Sequence, residues 1–172
     1  MLNEAAAGTV EEDGESASLE VRDRIELLNE AYARCLDDGQ LERWPDFFTD
    51  PCVYRIYPRE NMEEGLPGSV LFFDSQAMLK DRILCVREVN LYAPHSARHL
   101  MGRPAVRLLL QGGYRARTNF MVVHTDHEGH SELFAVGEYR DVVVETRGAL
   151  KFRERTVLLD TFTVRSHLAE PL

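Results

Sequence analysis

Residues 40–61, QLERWPDFFTDPCVYRIYPREN, decide the fold, because the hydrophobic pattern differs on either side of them. The stretch holds Trp44, Phe47, Phe48, Tyr54 and Tyr57, five of the chain's fifteen aromatics and its only tryptophan. Trp44-Pro45 ahead of Asp46-Phe47-Phe48 predicts a short, abruptly started helical turn, since proline is tolerated at a first helical position. Thr49-Asp50-Pro51 predicts a break, and Cys52-Val53-Tyr54-Arg55-Ile56-Tyr57 alternates as a strand does. Rings of this size bury much area and fix how helix meets sheet, so they are read as core.

Upstream, Leu19 to Leu36 is the clearest helix. Val21, Ile25, Leu28, Tyr32 and Cys35 recur at intervals of three and four and form one apolar face. Ser18 is placed to cap its start. Glu20–Arg24 and Glu30–Arg34 are favourable i,i+4 pairs, and Asp37-Asp38-Gly39 supplies the stop. Tyr32 lies inside the apolar stripe, so its hydroxyl needs a partner if buried, either within the core or in a cavity. Residues 1–17 carry five acids and no base, which predicts a disordered, solvating tail ahead of one domain over 18–172.

Downstream, PRENMEEGLPGS at 58–69 predicts a loop leading to a short strand, Val70 to Phe73. Asp74-Ser75 then offers an N-cap for a helix from Gln76 to about Val89, with Met78, Leu79, Ile83 and Val86 facing inward. Residues 90–103 are interrupted by Pro94, with a strand resuming near Ser96. The last 70 or so residues read as antiparallel sheet. Its runs, 104–111, 114–125, 132–145 and 150–165, are separated by Gly112-Gly113, Glu128-Gly129 and Arg147-Gly148, which are hairpin signals. Gly137, inside a strand, predicts a bulge that helps the sheet curl. Helices followed by meandering strands give an α+β fold with helices on one side of a curved sheet.

At 172 residues the chain fits one domain with a sizeable core. Its net charge of −9 argues against nucleic acid and anionic membrane surfaces, both of which call for a basic patch. No apolar run approaches the ~18 residues of a membrane span, and residues 1–17 lack the basic start and apolar core of a signal peptide. Three widely spaced cysteines, Cys35, Cys52 and Cys85, fit reduced thiols in a cytoplasmic protein.

Metal and nucleophile motifs are weak. His124, His127 and His130 in HTDHEGH, with Asp126 and Glu128 between, fall on a hairpin tip, whose turn geometry is expected to scatter them. His95 and His99 have the i,i+4 spacing of a helical metal pair, but Ser96 stands where HExxH has its glutamate and Pro94 disfavours a helix. Arg98-His99 reads instead as a buried polar pair, the histidine hydrogen-bonded in a core or an interface. No Cys-x-His pair, GxGxxG, GxSxG or P-loop is present.

The order of pieces carries a resemblance. A helix ending at Asp37-Asp38 is followed by LERWPDFFTDPCVYRIYPREN, DSQAMLKDRI, ARHLMG and a sheet containing FAVGEYRD. From about residue 20 onward this resembles the small (beta) subunit of aromatic-ring-hydroxylating dioxygenases of the Rieske non-haem iron type, in particular those acting on aromatic carboxylic acids such as terephthalate, salicylate or anthranilate. WPDFF together with FFDSQAMLKDRI is distinctive, while each piece alone is not. The resemblance implies a cystatin-like, nuclear transport factor two-like cone of curved antiparallel sheet with helices across it. It also implies that a large (alpha) subunit holds both the Rieske 2Fe-2S cluster and the mononuclear iron, so that no metal, cofactor or catalytic set is expected on this chain. Three large and three small subunits would assemble, with sister small subunits in contact, and reduced nicotinamide would act through a separate reductase.

Two functions follow as expectations. In the first, the chain is a non-catalytic assembly subunit. Loops 51–69 and 90–103 then supply apolar anchors, and Asp74, Arg82, Arg98, His99 and Arg103 supply charged contacts. In the second, it is a stand-alone lyase or isomerase of the scytalone dehydratase or ketosteroid isomerase kind, with Tyr32, Asp46, Tyr54 and His99 as the groups around an internal polar cavity.

Overall fold

A computed structural model describes residues 13–66, 68–89, 94–160 and 171–172. Helix α1, Leu19–Asp37, starts where Ser18 accepts a hydrogen bond from the Val21 amide at 3.3 Å. It buries Ile25, Tyr32 and Cys35 as the spacing predicts, and Asn29, Ala33 and Leu36 beside them. Glu30 and Arg34 pair along the helix, whereas Arg24 reaches across to Glu145.

The helical turn around Trp44 is longer than expected. It is a 3₁₀ helix, Leu41–Phe47, with Pro45 inside it instead of at its start. Strand β2 then runs Phe48–Pro58, straight through the expected break at Thr49-Asp50-Pro51. Its pairing register shifts between Phe48 and Val53, so Pro51, which has no N–H to give, sits off the ladder. The loop at 58–69 contains a five-residue helix, α2 (Arg59–Glu63). Strand β3 (Leu71–Phe73) leads to α3 (Gln76–Leu84), which continues as a π-helical turn over Cys85–Val89. On α3, Leu79 and Ile83 are buried, but Met78 faces solvent, contrary to expectation.

The remaining strands are β4 (His95–Met101), β5 (Ala105–Leu109), β6 (Tyr114–Asp126), β7 (Ser131–Thr146) and β8 (Ala149–Leu159). With β1, Asp13–Ser16, they make one eight-stranded sheet in the order β1-β5-β6-β7-β8-β2-β3, with β4 pairing β6. Two findings depart from the sequence reading. Residues 13–16, expected in a disordered tail, form an edge strand on β5, while residues 1–12 lie outside the described residues. The sheet is also mixed, because β2 and β8 run parallel, with Tyr54 opposite Arg155 and Ile56 opposite Val157. Residues 90–93 of the expected interface loop, and 161–165 of the last expected strand, fall outside the described residues.

Strand β6 is shared along its length. Residues 114–117 pair with β5, and 120–126 pair with β4. Register shifts between Val122 and Val123 and between Val142 and Val143 mark the bulges on this curved sheet. Gly137 is not one of them. A Cβ there would lie 2.1 Å from the Leu158 carbonyl oxygen and 3.1 Å from the Phe120 ring, so glycine is needed for close approach. Helix α1 packs against β4 and β8, and the core fills the space between it and the inner face of the sheet. Among the described residues, no helix is long and apolar enough to cross a membrane.

Candidate functional site

The inner face of the sheet is not wholly apolar. Arg155 on β8 and Asp141 on β7 are directly opposite each other, in phase with Val157 and Tyr139. Both are fully buried. Arg155 Nε donates to Asp141 Oδ1 at 2.9 Å and its Nη2 to Asp141 Oδ2 at 2.8 Å, a bidentate pair. Nη2 also donates to Asn29 Oδ1 of α1, and Asn29 Nδ2 donates to Thr118 Oγ1 at 3.2 Å. The guanidinium carbon lies 3.8 Å from the Phe152 ring centroid, 4.2 Å from Tyr32 and 4.3 Å from Tyr139. Burial works against this charge, and Asp141 outweighs it, so Arg155 is held protonated above its ordinary range.

Beside this pair, the helix, the 3₁₀ helix and β2 converge. Trp44 is fully buried, with its ring 5.1 Å from Tyr54, 5.8 Å from Phe48 and 6.4 Å from Phe73. Its Nε1 donates to the Tyr32 hydroxyl at 3.1 Å. Tyr32 donates in turn to the main-chain oxygen of Leu172 at 2.8 Å, and Tyr54 donates to the same oxygen at 3.1 Å. The Leu172 amide closes the ring by donating to the Tyr54 hydroxyl at 3.0 Å. Burial raises the pKa of both phenols, which keeps them protonated and able to donate.

A third group sits where α1 ends against β4. Asp37 accepts the His99 backbone N–H, and its Oδ1 lies 2.6 Å from His99 Nδ1, with both side chains nearly inaccessible. His99 is thus the hydrogen-bonded core histidine that the sequence suggests. Arg98, expected to be buried beside it, is largely exposed, with its Nη1 4.0 Å from the carboxylates of Asp37 and Asp38. His99 Nε2, Tyr139 Oη and Arg155 Nη1 have no hydrogen-bond partner among the described residues.

Of the four groups named for an internal cavity, the structure brings Tyr32 and Tyr54 together on one acceptor. It holds His99 apart from that acceptor, against Asp37 at the C-terminal end of α1, and leaves Asp46 exposed on the 3₁₀ helix. Sequence reasoning missed Asn29, Asp141, Arg155 and Leu172. Two of these carried a signal, since Arg155 and Asp141 fall in phase with apolar residues of their strands.

Groups able to hold a metal are sparse. Asp126, Glu128 and His130 offer ligand atoms within 4.8 Å of one another, so the hairpin tip gathers side chains expected to scatter. The reason is local. Asp126 Oδ1 accepts the amides of Glu128 and His130 at 2.9 Å each, which folds the turn around that carboxylate. All three are exposed. His124 lies apart, stacked on Phe134 at 3.7 Å and close to His95 at 4.5 Å. Cys35 and Cys52 are buried, Cys85 is exposed, and Cys35 donates to the Gln40 carbonyl at 3.1 Å. This donor set does not fit a Rieske cluster, which takes two thiolates and two imidazoles.

Comparison with known proteins agrees with this architecture. A SnoaL-like domain matches residues 17–156. The chain is 36% identical over 148 residues to the anthranilate 1,2-dioxygenase small subunit of Burkholderia cepacia, covering 86% of this chain and 92% of that one. It is 39% identical over 149 residues to the terephthalate 1,2-dioxygenase terminal oxygenase component subunit beta 1 of a Comamonas species, covering 87% and 97%. Among solved structures, a beta subunit assigned to an aromatic-ring-hydroxylating dioxygenase of Novosphingobium aromaticivorans superposes with a TM-score of 0.81 at 34% identity, covering 89% and 97%. The fold extends to a protein assigned as a scytalone dehydratase from the same species, with a TM-score of 0.66 at 16% identity, over 86% and 89%. The chain belongs to the small (beta) subunit family of aromatic-ring-hydroxylating dioxygenases.

Proposed function

We propose that the chain is a non-catalytic structural subunit of an aromatic-ring-hydroxylating dioxygenase that acts on an aromatic carboxylic acid. Its partner is a large subunit that carries the Rieske cluster and the mononuclear iron, assembled as three large and three small subunits in the cytoplasm. The observation that carries this reading is the self-occupied interior. The tyrosine pair that an internal active site would turn toward substrate is taken up by Leu172 of the same chain. His99 is likewise engaged by Asp37, and Asp46 faces away.

The outer face of the sheet supports a docking role. Leu100, Met121 and Leu133 on β4, β6 and β7 are each more than 40% exposed, and Met121 lies opposite both Leu100 and Val136. Farther along β6 and β7, Arg117 and Arg140 flank Glu138, with Arg117 Nη2 at 2.7 Å and Arg140 Nε at 2.6 Å from its carboxylate. Apolar side chains beside a fixed charge cluster give a protein partner both area and register. Arg103, expected to contact a partner, is engaged within the chain by Asp23 and Glu26.

The test is reconstitution. Terephthalate and anthranilate should be converted only when the chain is combined with a cluster-bearing large subunit, a reductase and reduced nicotinamide. Turnover per assembled complex should change by no more than roughly two-fold in Tyr32→Phe or His99→Ala. Conversion by the isolated chain, abolished by either substitution, would establish the lyase or isomerase reading instead.

A further inference from the structure

The proposed structural role leaves a pair of neighbouring histidines unused. Strand β4 carries His95, Ala97 and His99 on one side, and Ala97 stands directly opposite His124 of β6. His95 and His124 are therefore diagonal neighbours across a strand pair, with only the Ala97 methyl between them on that face. Their rings close the gap, with centroids 4.5 Å apart. Phe134 of β7 stacks on His124 at 3.7 Å and 12°, which fixes the plane of that ring. His95 is exposed and His124 half-buried, so the pair is open to solvent from one side.

The ring separation decides what the pair can hold. Two imidazoles on one ion, with nitrogens about 2.0–2.1 Å from it at octahedral to tetrahedral angles, have centroids roughly 4.5–5.2 Å apart. The observed 4.5 Å falls at the near end of that range, so ring rotation suffices and the strands need not move. Burial, with His95 and His99 adding to it, brings the His124 pKa from 6.5 down to about 4. Its ring therefore offers a lone pair at neutral pH without first losing a proton. Asp126 stands opposite His95 in the ladder and adds negative charge at the same end. Paired imidazoles suit Zn²⁺, Ni²⁺ and Cu²⁺, whereas Mg²⁺ and Ca²⁺ take oxygen ligands. His99 is not a third ligand. Four residues of strand put its Cα about 13 Å from that of His95, and Asp37 already engages its Nδ1.

We propose that His95 and His124 bind one divalent first-row transition ion, of which Zn²⁺ is the simplest, through one ring nitrogen each. Water fills the remaining positions. The ion ties β4 to β6, its only partner strand among the described residues, and so stabilises the end of the sheet. It is distinct from the Rieske cluster and the mononuclear iron expected on a large subunit. The site and the structural role proposed above can each fail without the other.

The experiment titrates Zn²⁺ by calorimetry into the untagged full chain, stripped of metal with a chelator, and into His95→Ala, His124→Gln and His130→Ala. The parent should take up one Zn²⁺ per chain in its tightest event, and a large excess of Mg²⁺ should not displace it. His95→Ala and His124→Gln should each weaken that event at least about ten-fold, the scale of a lost ligand, while His130→Ala leaves it unchanged. Saturating Zn²⁺ should raise the thermal midpoint of the parent and not that of His95→Ala. With Cu²⁺, electron paramagnetic resonance should show coupling to two nitrogens in the parent and to one in His95→Ala. Absence of a saturable event in the parent overturns the proposal, and so does an event that both histidine variants leave intact. Loss of binding in His130→Ala with retention in His95→Ala also overturns it, because the ion then sits on Asp126, Glu128 and His130 at the hairpin tip. If His124→Gln loses its near-ultraviolet circular dichroism, the exposed His95→Ala decides the matter alone.

Discussion

The Asp141–Arg155 contact is costly to break, because removing one partner leaves a full charge in the core. Asp141→Ala should destabilise the chain by about 3–5 kcal/mol, measured by urea denaturation. Replacing both with apolar residues of similar volume should cost less than the single change. This pair was legible in outline, since each charge falls in step with the inward residues of its own strand. That the two strands align them was not legible, because pairing register is a long-range property. Thiol reactivity is decided by burial in the same way. Burial, with Asp50 and Asp74 nearby, pushes the Cys52 thiol up to about 11, and burial also raises Cys35. A thiol reagent should therefore titrate only Cys85 in the folded isolated chain, and all three cysteines in denaturant. His124 gives a pH dependence. Burial, together with His95 and His99, lowers its pKa from 6.5 to about 4. Between these values the unfolded chain binds a proton that the folded one does not, so stability falls as pH drops from 6.5 toward 4. The slope is at most ~1.4 kcal/mol per pH unit and is reduced by the ring's partial exposure. Thermal melts between pH 7 and 5 should show a smaller decline in His124→Gln than in the parent chain.

Among the elements, α1 was readable almost residue by residue, because its apolar spacing, cap and stop agree. Strands β6, β7 and β8 were readable from their glycine turns. The elements that differed did so for identifiable reasons. Pro45 suggested a helix start, yet a 3₁₀ segment tolerates it inside, and Pro51 suggested a break where a register shift accommodates it. Gly137 suggested a bulge, but its role is steric: β7 approaches β8 and the Phe120 ring too closely for a Cβ. Gly137→Ala should cost upward of about 1–3 kcal/mol, because the nearest atom is backbone and cannot rotate away. Equilibrium unfolding would reveal it, and a neutral result would mean that the two strands separate more easily than their ladder implies. The short strand β1 left no signal, since DGES is a polar tetrapeptide whose strand form depends entirely on β5.

For the whole molecule, the helix-then-sheet order and one-sided helix packing were legible, while the candidate site was only half so. Tyr32 and Tyr54 stood out as polar groups in apolar patterns, but their shared partner, Leu172, lies more than a hundred residues away along the chain. Trp44→Ala should remove the ring where helix, 3₁₀ helix and sheet meet and cost about 3–5 kcal/mol, read from denaturation midpoints. The parallel pairing of β2 with β8 has a kinetic consequence. Strand β2 leaves the ribosome well before β8, the strand that closes its free edge. Until then a nascent chain carries an unpaired, largely apolar ladder, with the high contact order of slow-folding sheet proteins. Polypeptides interrupted before β8 should therefore accumulate as aggregates instead of soluble fragments.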